Sequence, residues 1–104
     1  MPIFTIFRNG KKIGLKNFYY HFYILRDLST NEISWKADDE EDTAEILIWI
    51  QTNYTVHFVR PDWQLIVDGV QLPKQAYQAL SLSGKCVSFQ YCEYEFVCHF
   101  PEYV

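Results

Sequence analysis

Asn9-Gly10 constrains this chain more than any other pair of residues in it. A two-residue type I′ turn needs positive φ at both positions, and Asn-Gly is the pair that adopts it most readily. The turn predicts a β-hairpin over residues 3–16. Pairing outward from it sets Ile6 opposite Ile13 and Phe4 opposite Leu15 on one face, which is expected to lie on the core. Phe7/Lys12 and Thr5/Gly14 fall on the other face, as an antiparallel pair on a core should arrange them. Arg8 meets Lys11 at the tip, a like-charge pair that must be solvated or meet an anion.

Further strands follow from period-2 alternation. Residues 18–28 place Phe18, Tyr20, Phe22 and Ile24 on one face and Tyr19, His21, Tyr23 and Leu25 on the other. Ser29-Thr30-Asn31 predicts a turn and 33–37 a returning strand. Residues 54–59 and 63–67 read as strands, separated by a turn at Arg60-Pro61-Asp62, and Asp68-Gly69 is a second hairpin signal. Between Lys85 and Phe100 the apolar residues change parity: Val87, Phe89 and Tyr91, then Tyr94, Phe96 and Cys98. A regular strand cannot switch faces, so a turn or a bulge lies near Cys92-Glu93. A tight hairpin there pairs Phe89 with Phe96, Val87 with Cys98 and Gln90 with Glu95.

The stretch Asp38 to Asn53 carries the dense charge run and then Ile46-Leu47-Ile48-Trp49-Ile50. Asp42 or Thr43 can cap a helix N-terminus, and carboxylates there face the positive end of its dipole. At helical spacing Ala44, Ile46, Leu47, Ile48 and Ile50 form a wide apolar arc, with Glu45 and Thr52 opposite and Trp49 at the edge of the polar side. The stretch is therefore expected to be an acidic loop feeding a helix, although the apolar run is also β-prone and a buried strand is the competing reading. A second helix is expected from Pro73, with Ala76, Tyr77, Ala79 and Leu80 on its apolar side and Gly84 just past its end. The expected architecture is one α+β domain over residues 1–104, ordered ββββ-α-ββ-α-ββ, with two helices packed on one face of an antiparallel sheet.

With 104 residues, 49% of them hydrophobic and 18% aromatic, the chain holds enough material for one core. No apolar run approaches the ~20 residues of a membrane span, and the first residues do not read as a signal peptide. Cys86, Cys92 and Cys98 are odd in number and lack paired spacing, so reduced thiols and a cytoplasmic location are expected. The net charge of −4 is unevenly spread. Arg8, Lys11, Lys12 and Lys16 fall in a stretch without acids, while Asp38, Asp39, Glu40, Glu41, Asp42 and Glu45 crowd into eight residues.

No nucleotide, hydrolase or zinc motif is present, and the acidic run lacks the spaced donors and central Gly of an EF-hand, so no metal, cofactor or catalytic residue is assigned. His21, His57 and His99 could serve a small nuclease only if the fold brought them together. Six carboxylates exceed what capping one helix requires. The expected partner-binding surface is therefore Asp38, Asp39, Glu40, Glu41, Asp42 and Glu45 with Trp49, and Tyr19, His21 and Tyr23 are secondary candidates. The expected function is inhibition, without catalysis, of a larger basic nucleic-acid-handling protein, in the manner of anti-CRISPR or toxin-immunity proteins. Neither a membrane nor nucleic acid itself is the expected partner. The alternatives are the histidine nuclease and a nucleic-acid-binding module using the basic hairpin and exposed aromatics.

Overall fold

The Asn9-Gly10 turn forms as its dipeptide dictates, with φ of 51° and 82°. It joins β1 (Ile3–Arg8) to β2 (Lys11–Asn17). The computed structural model describes residues 1–38, 46–59, 64–73 and 77–103. The other described strands are β3 (His21–Arg26), β4 (Ile33–Ala37), β5 (Ile46–Ile50), β6 (Thr55–Val59), β7 (Ile66–Val67), β8 (Val70–Gln71), β9 (Leu80–Ser81), β10 (Cys86–Tyr91) and β11 (Tyr94–His99). They form two antiparallel sheets, one ordered β2-β1-β11-β10-β7-β8 and the other β4-β3-β5-β6-β9.

This architecture overturns the expected α+β fold, because the described residues contain no α-helix. Ile46–Ile50, expected to be helical, is the central strand of the five-stranded sheet, paired with β3 and β6. The reason is physical. Three isoleucines and a tryptophan are stiff, β-prone side chains, and a strand bonded on both sides saturates its backbone without needing an amphipathic arc. The second expected helix fails as well. Residues 74–76 lie outside the described part, but Tyr77 is in no helix, Ala79 has φ of 56° and Leu80–Ser81 pairs with β6. The expected turn at Arg60-Pro61-Asp62 lies outside the described residues, while Asp68-Gly69 turns β7 into β8.

The sheets face one another across an aromatic core. Phe4 of β1 stacks on Phe22 of β3 with centroids 4.1 Å apart, and Phe96 of β11 meets the edge of Trp35 of β4 at 6.3 Å. Ile6, Val87 and Phe89 come from one sheet and Ile24, Ile48, Val56 and Phe58 from the other, all buried. The parity switch at Cys92-Glu93 is resolved as a hairpin with the expected pairs Phe89↔Phe96, Val87↔Cys98 and Gln90↔Glu95. Its turn places Cys92 at φ of 58°.

The first hairpin departs from its expected register at one point. Arg8↔Lys11 and Phe7↔Lys12 pair as expected, but a bulge then sets Ile6 opposite Gly14 and Thr5 opposite Leu15. Phe4 and Ile6 are buried as expected, whereas Ile13 and Leu15 are exposed. The inserted residue turns Gly14 inward, where Trp35 lies over it so closely that a Cβ would come within 2.6 Å of the indole. Leu15 is thereby sent to the outer face. No helix among the described residues is long and apolar enough to cross a membrane.

Candidate functional site

The segment joining the two sheets shapes the site. After β2 the chain buries Phe18 and then turns Tyr19 and Tyr20 outward. Period 2 would have buried Tyr20 with Phe18 and Phe22, but the strand starts only at His21, and Tyr20 is 66% exposed. The bend is held by Asp38. Its carboxylate accepts hydrogen bonds from three successive backbone N–H groups, Tyr19 (2.8 Å), Tyr20 (2.7 Å) and His21 (3.1 Å), and its own N–H donates to the His21 carbonyl (3.0 Å). Partial burial opposes ionisation of this carboxyl, but the backbone donors outweigh it and hold the group below the usual carboxylate range.

Beside this bend lies an open cleft of about 690 Å³ lined by Tyr19, Tyr20, Ile50, Gln51, Asn53, Tyr54 and Tyr103. Each wall is tied to the framework. Ile50 N–H donates to the Tyr20 carbonyl (2.8 Å), Leu82 N–H to the Tyr54 carbonyl (3.0 Å) and Tyr103 N–H to Ser83 Oγ (2.7 Å). The floor turn places two successive non-glycine residues in the left-handed region, Asn53 at φ 61° and Tyr54 at φ 53°. Such a conformation is costly for an aromatic residue and collects at functional loops. Tyr54 packs edge-on against Phe100 and Tyr103, with centroids 6.0 and 6.1 Å away. Among the described residues the lining offers aromatic faces, phenol hydroxyls and two amides, and no ionised side chain.

Of the residues expected to bind a partner, Asp38 and Trp49 are described, whereas Asp39, Glu40, Glu41, Asp42 and Glu45 lie outside the described residues. Asp38 is committed to the tyrosine bend. Trp49 is 40% exposed on the outer face of β5, opposite His21 on one side and His57 on the other. Its ring stacks on His57 at 5.1 Å. Among the secondary candidates, Tyr19 is exposed, His21 is half-buried and Tyr23 is buried, so Tyr23 is not the exposed anchor that alternation implied. Tyr20, Tyr54 and Tyr103 were missed. The available signal was the Asn53-Tyr54 turn, since Asn tolerates positive φ.

The histidines do not converge. His21 and His57 flank Trp49 on one sheet, and His99 lies on the outer face of the other. Ala79 N–H donates to His57 Nδ1 (3.2 Å). Cys86 Sγ lies 4.0 Å from His99 Nε2, but burial and then Asp68 push this thiol up, away from the thiolate a nucleophile needs. Burial raises the Cys98 thiol further. The described residues hold no cluster of ligands fit for a metal ion. Comparison with protein-family models, with characterised proteins and with solved structures found no match.

Proposed function

We propose that this chain is a non-catalytic binding protein that docks on, and inhibits, a larger basic protein that handles nucleic acid. The observation that carries the reading is the Asp38 clamp. It fastens the first residue of the acidic run to the bend that presents Tyr19 and Tyr20. The acidic segment thus starts beside a pre-shaped aromatic cleft, and Trp49 lies directly opposite His21, the residue at which the same bend enters its strand. Tyrosine and tryptophan are enriched in binding hot spots, and aromatic faces accept Arg and Lys side chains. The same molecule uses that contact internally, with Arg8 over Tyr94 and Arg26 over Tyr91, each 5.3 Å from the ring centroid. Carboxylates ahead of the cleft would steer a basic partner toward it.

The test compares tagged wild type with two variants in extract of the native host, with captured proteins quantified by mass spectrometry. Tyr20→Ser/Tyr103→Ser removes exposed rings, and neutralising Asp39, Glu40, Glu41 and Asp42 removes charge while sparing Asp38. The expected result is a basic nucleic-acid-handling protein that the tyrosine variant captures at least tenfold less well. The neutralised variant should bind that purified partner more slowly and with flatter salt dependence. Equal capture by all three proteins would sink the reading. The nucleic-acid module is the weaker alternative, because Tyr23 is buried and only Tyr19 of its stacking set is fully presented.

A further inference from the structure

We infer that the free edge of β2, with the outer sheet face beside it, takes an extended acidic segment of a partner protein as an added strand. This surface lies on the sheet that does not carry Trp49, and the inference does not depend on the proposed function. β2 is seven residues long and, among the described residues, bonds to β1 alone and ends its sheet. Every residue in it except Gly14 is exposed. An edge of that length presents a row of backbone donors and acceptors to another chain.

Its side chains add two further features. Ile13, the extra residue of the bulge, and Leu15 are 44% and 55% exposed, and the half-buried Phe7 and Val97 continue this apolar strip on the outer face. Lys11, Lys12 and Lys16 border it, and no acid precedes Asp27 in the chain. Among the described residues the only ion pair is Arg8–Glu93 at 2.9 Å, so these lysines have no carboxylate partner there. A strand alternating acids with β-branched residues would meet the lysines with its charges and the strip with its methyl groups, while its backbone completes the ladder. A second copy fits badly, because β2 against β2 sets lysine rows face to face. Nucleic acid would find charge but, apart from the half-buried Phe7, only aliphatic side chains where stacking rings are needed.

The test titrates ¹⁵N-labelled protein with three probes. One is a soluble seven-residue peptide alternating Glu or Asp with Val or Ile, the second has Lys at the acidic positions, and the third is a single-stranded oligonucleotide. The acidic peptide should shift the amide resonances of residues 11–17 and slow their hydrogen exchange, and Lys12→Glu/Lys16→Glu should weaken it at least tenfold. Both lysines are exposed, so this variant retains the fold. The inference is overturned by equal binding of the lysine peptide or by response to the oligonucleotide alone. It is overturned equally by self-association through β2 at sedimentation equilibrium, or by shifts confined to the tyrosine cleft, which would leave the proposed function standing.

Discussion

The hairpin β10–β11 and the stretch Lys11–His21 sit at opposite extremes of the same molecule. The hairpin occupies the middle of its sheet, and Val87, Phe89, Tyr94, Phe96 and Cys98 point into the core. The stretch from β2 through the tyrosine bend buries one large side chain, Phe18. Its shape is fixed instead by the backbone ladder to β1, the Gly14–Trp35 contact and the Asp38 carboxylate. Packing holds the first region and a few directional contacts hold the second. That division leaves the second region free to present side chains to a partner.

The widest gap between the two regions should appear on truncating one apolar residue in each. Phe96 contacts Phe89 at 5.3 Å, Phe4 at 6.3 Å and Phe22 at 6.4 Å and is fully buried. Phe96→Ala should lower unfolding free energy by about 3–5 kcal/mol through lost burial and the cavity it leaves. Leu15→Ala, in an equally β-prone setting, should change it by less than about 0.5 kcal/mol, as exposed sites do. Urea denaturation measures both, and a Leu15 effect within a factor of two of the Phe96 effect would break the comparison.

The same contrast explains what was legible beforehand. Alternation revealed β10–β11 because a strand packed on one side writes its burial into sequence with period 2, and the switch of parity located the turn. The bulge at Ile13 was hidden, because the contact it accompanies, Trp35 over Gly14, comes from the other sheet. β5 was misread because an unbroken apolar run suits a central strand as well as a helix, and the carboxylates before it resembled a helix cap. Asp38 does cap backbone N–H groups, but those of Tyr19 to His21, which lie well away in sequence. The tyrosine cleft was invisible for a similar reason, being assembled from three separate segments.

Gly14 offers a way to sharpen the comparison. A Cβ there meets the Trp35 ring at 2.6 Å, so Gly14→Val should destabilise by about 1–3 kcal/mol although it replaces glycine with a better strand former. Trp35→Phe removes the ring atoms that clash. In a double-mutant cycle it should recover a large part of the loss, since touching residues are not additive. Additive penalties at Gly14 and Trp35 would show that this contact adds nothing to the β1 ladder in holding the bulged part of β2.

A smaller effect than either Phe96→Ala or Gly14→Val belongs to Asp38, and its signature is pH dependence. Asp38→Asn keeps the shape but removes the charge that three N–H groups address, and near neutral pH it should destabilise by about 1–2 kcal/mol. The folded-state pKa of Asp38 is lowered, so its contribution is complete above the unfolded carboxylate range near ~4 and is lost as pH falls through the folded value. Wild type and variant should therefore differ by a constant amount above about pH 5 and converge below about pH 4. Phe96→Ala should show no such convergence, because no proton is linked to its packing. The clamp also predicts where the change is felt. Amide exchange at Tyr19, Tyr20 and His21 should quicken in Asp38→Asn while exchange along β10 and β11 stays slow. If exchange instead rises uniformly in both regions, the tyrosine bend is an inseparable part of the core. The carboxylate would then be no local fastening for the cleft, and the joining of acidic run to aromatic site would lose its physical basis.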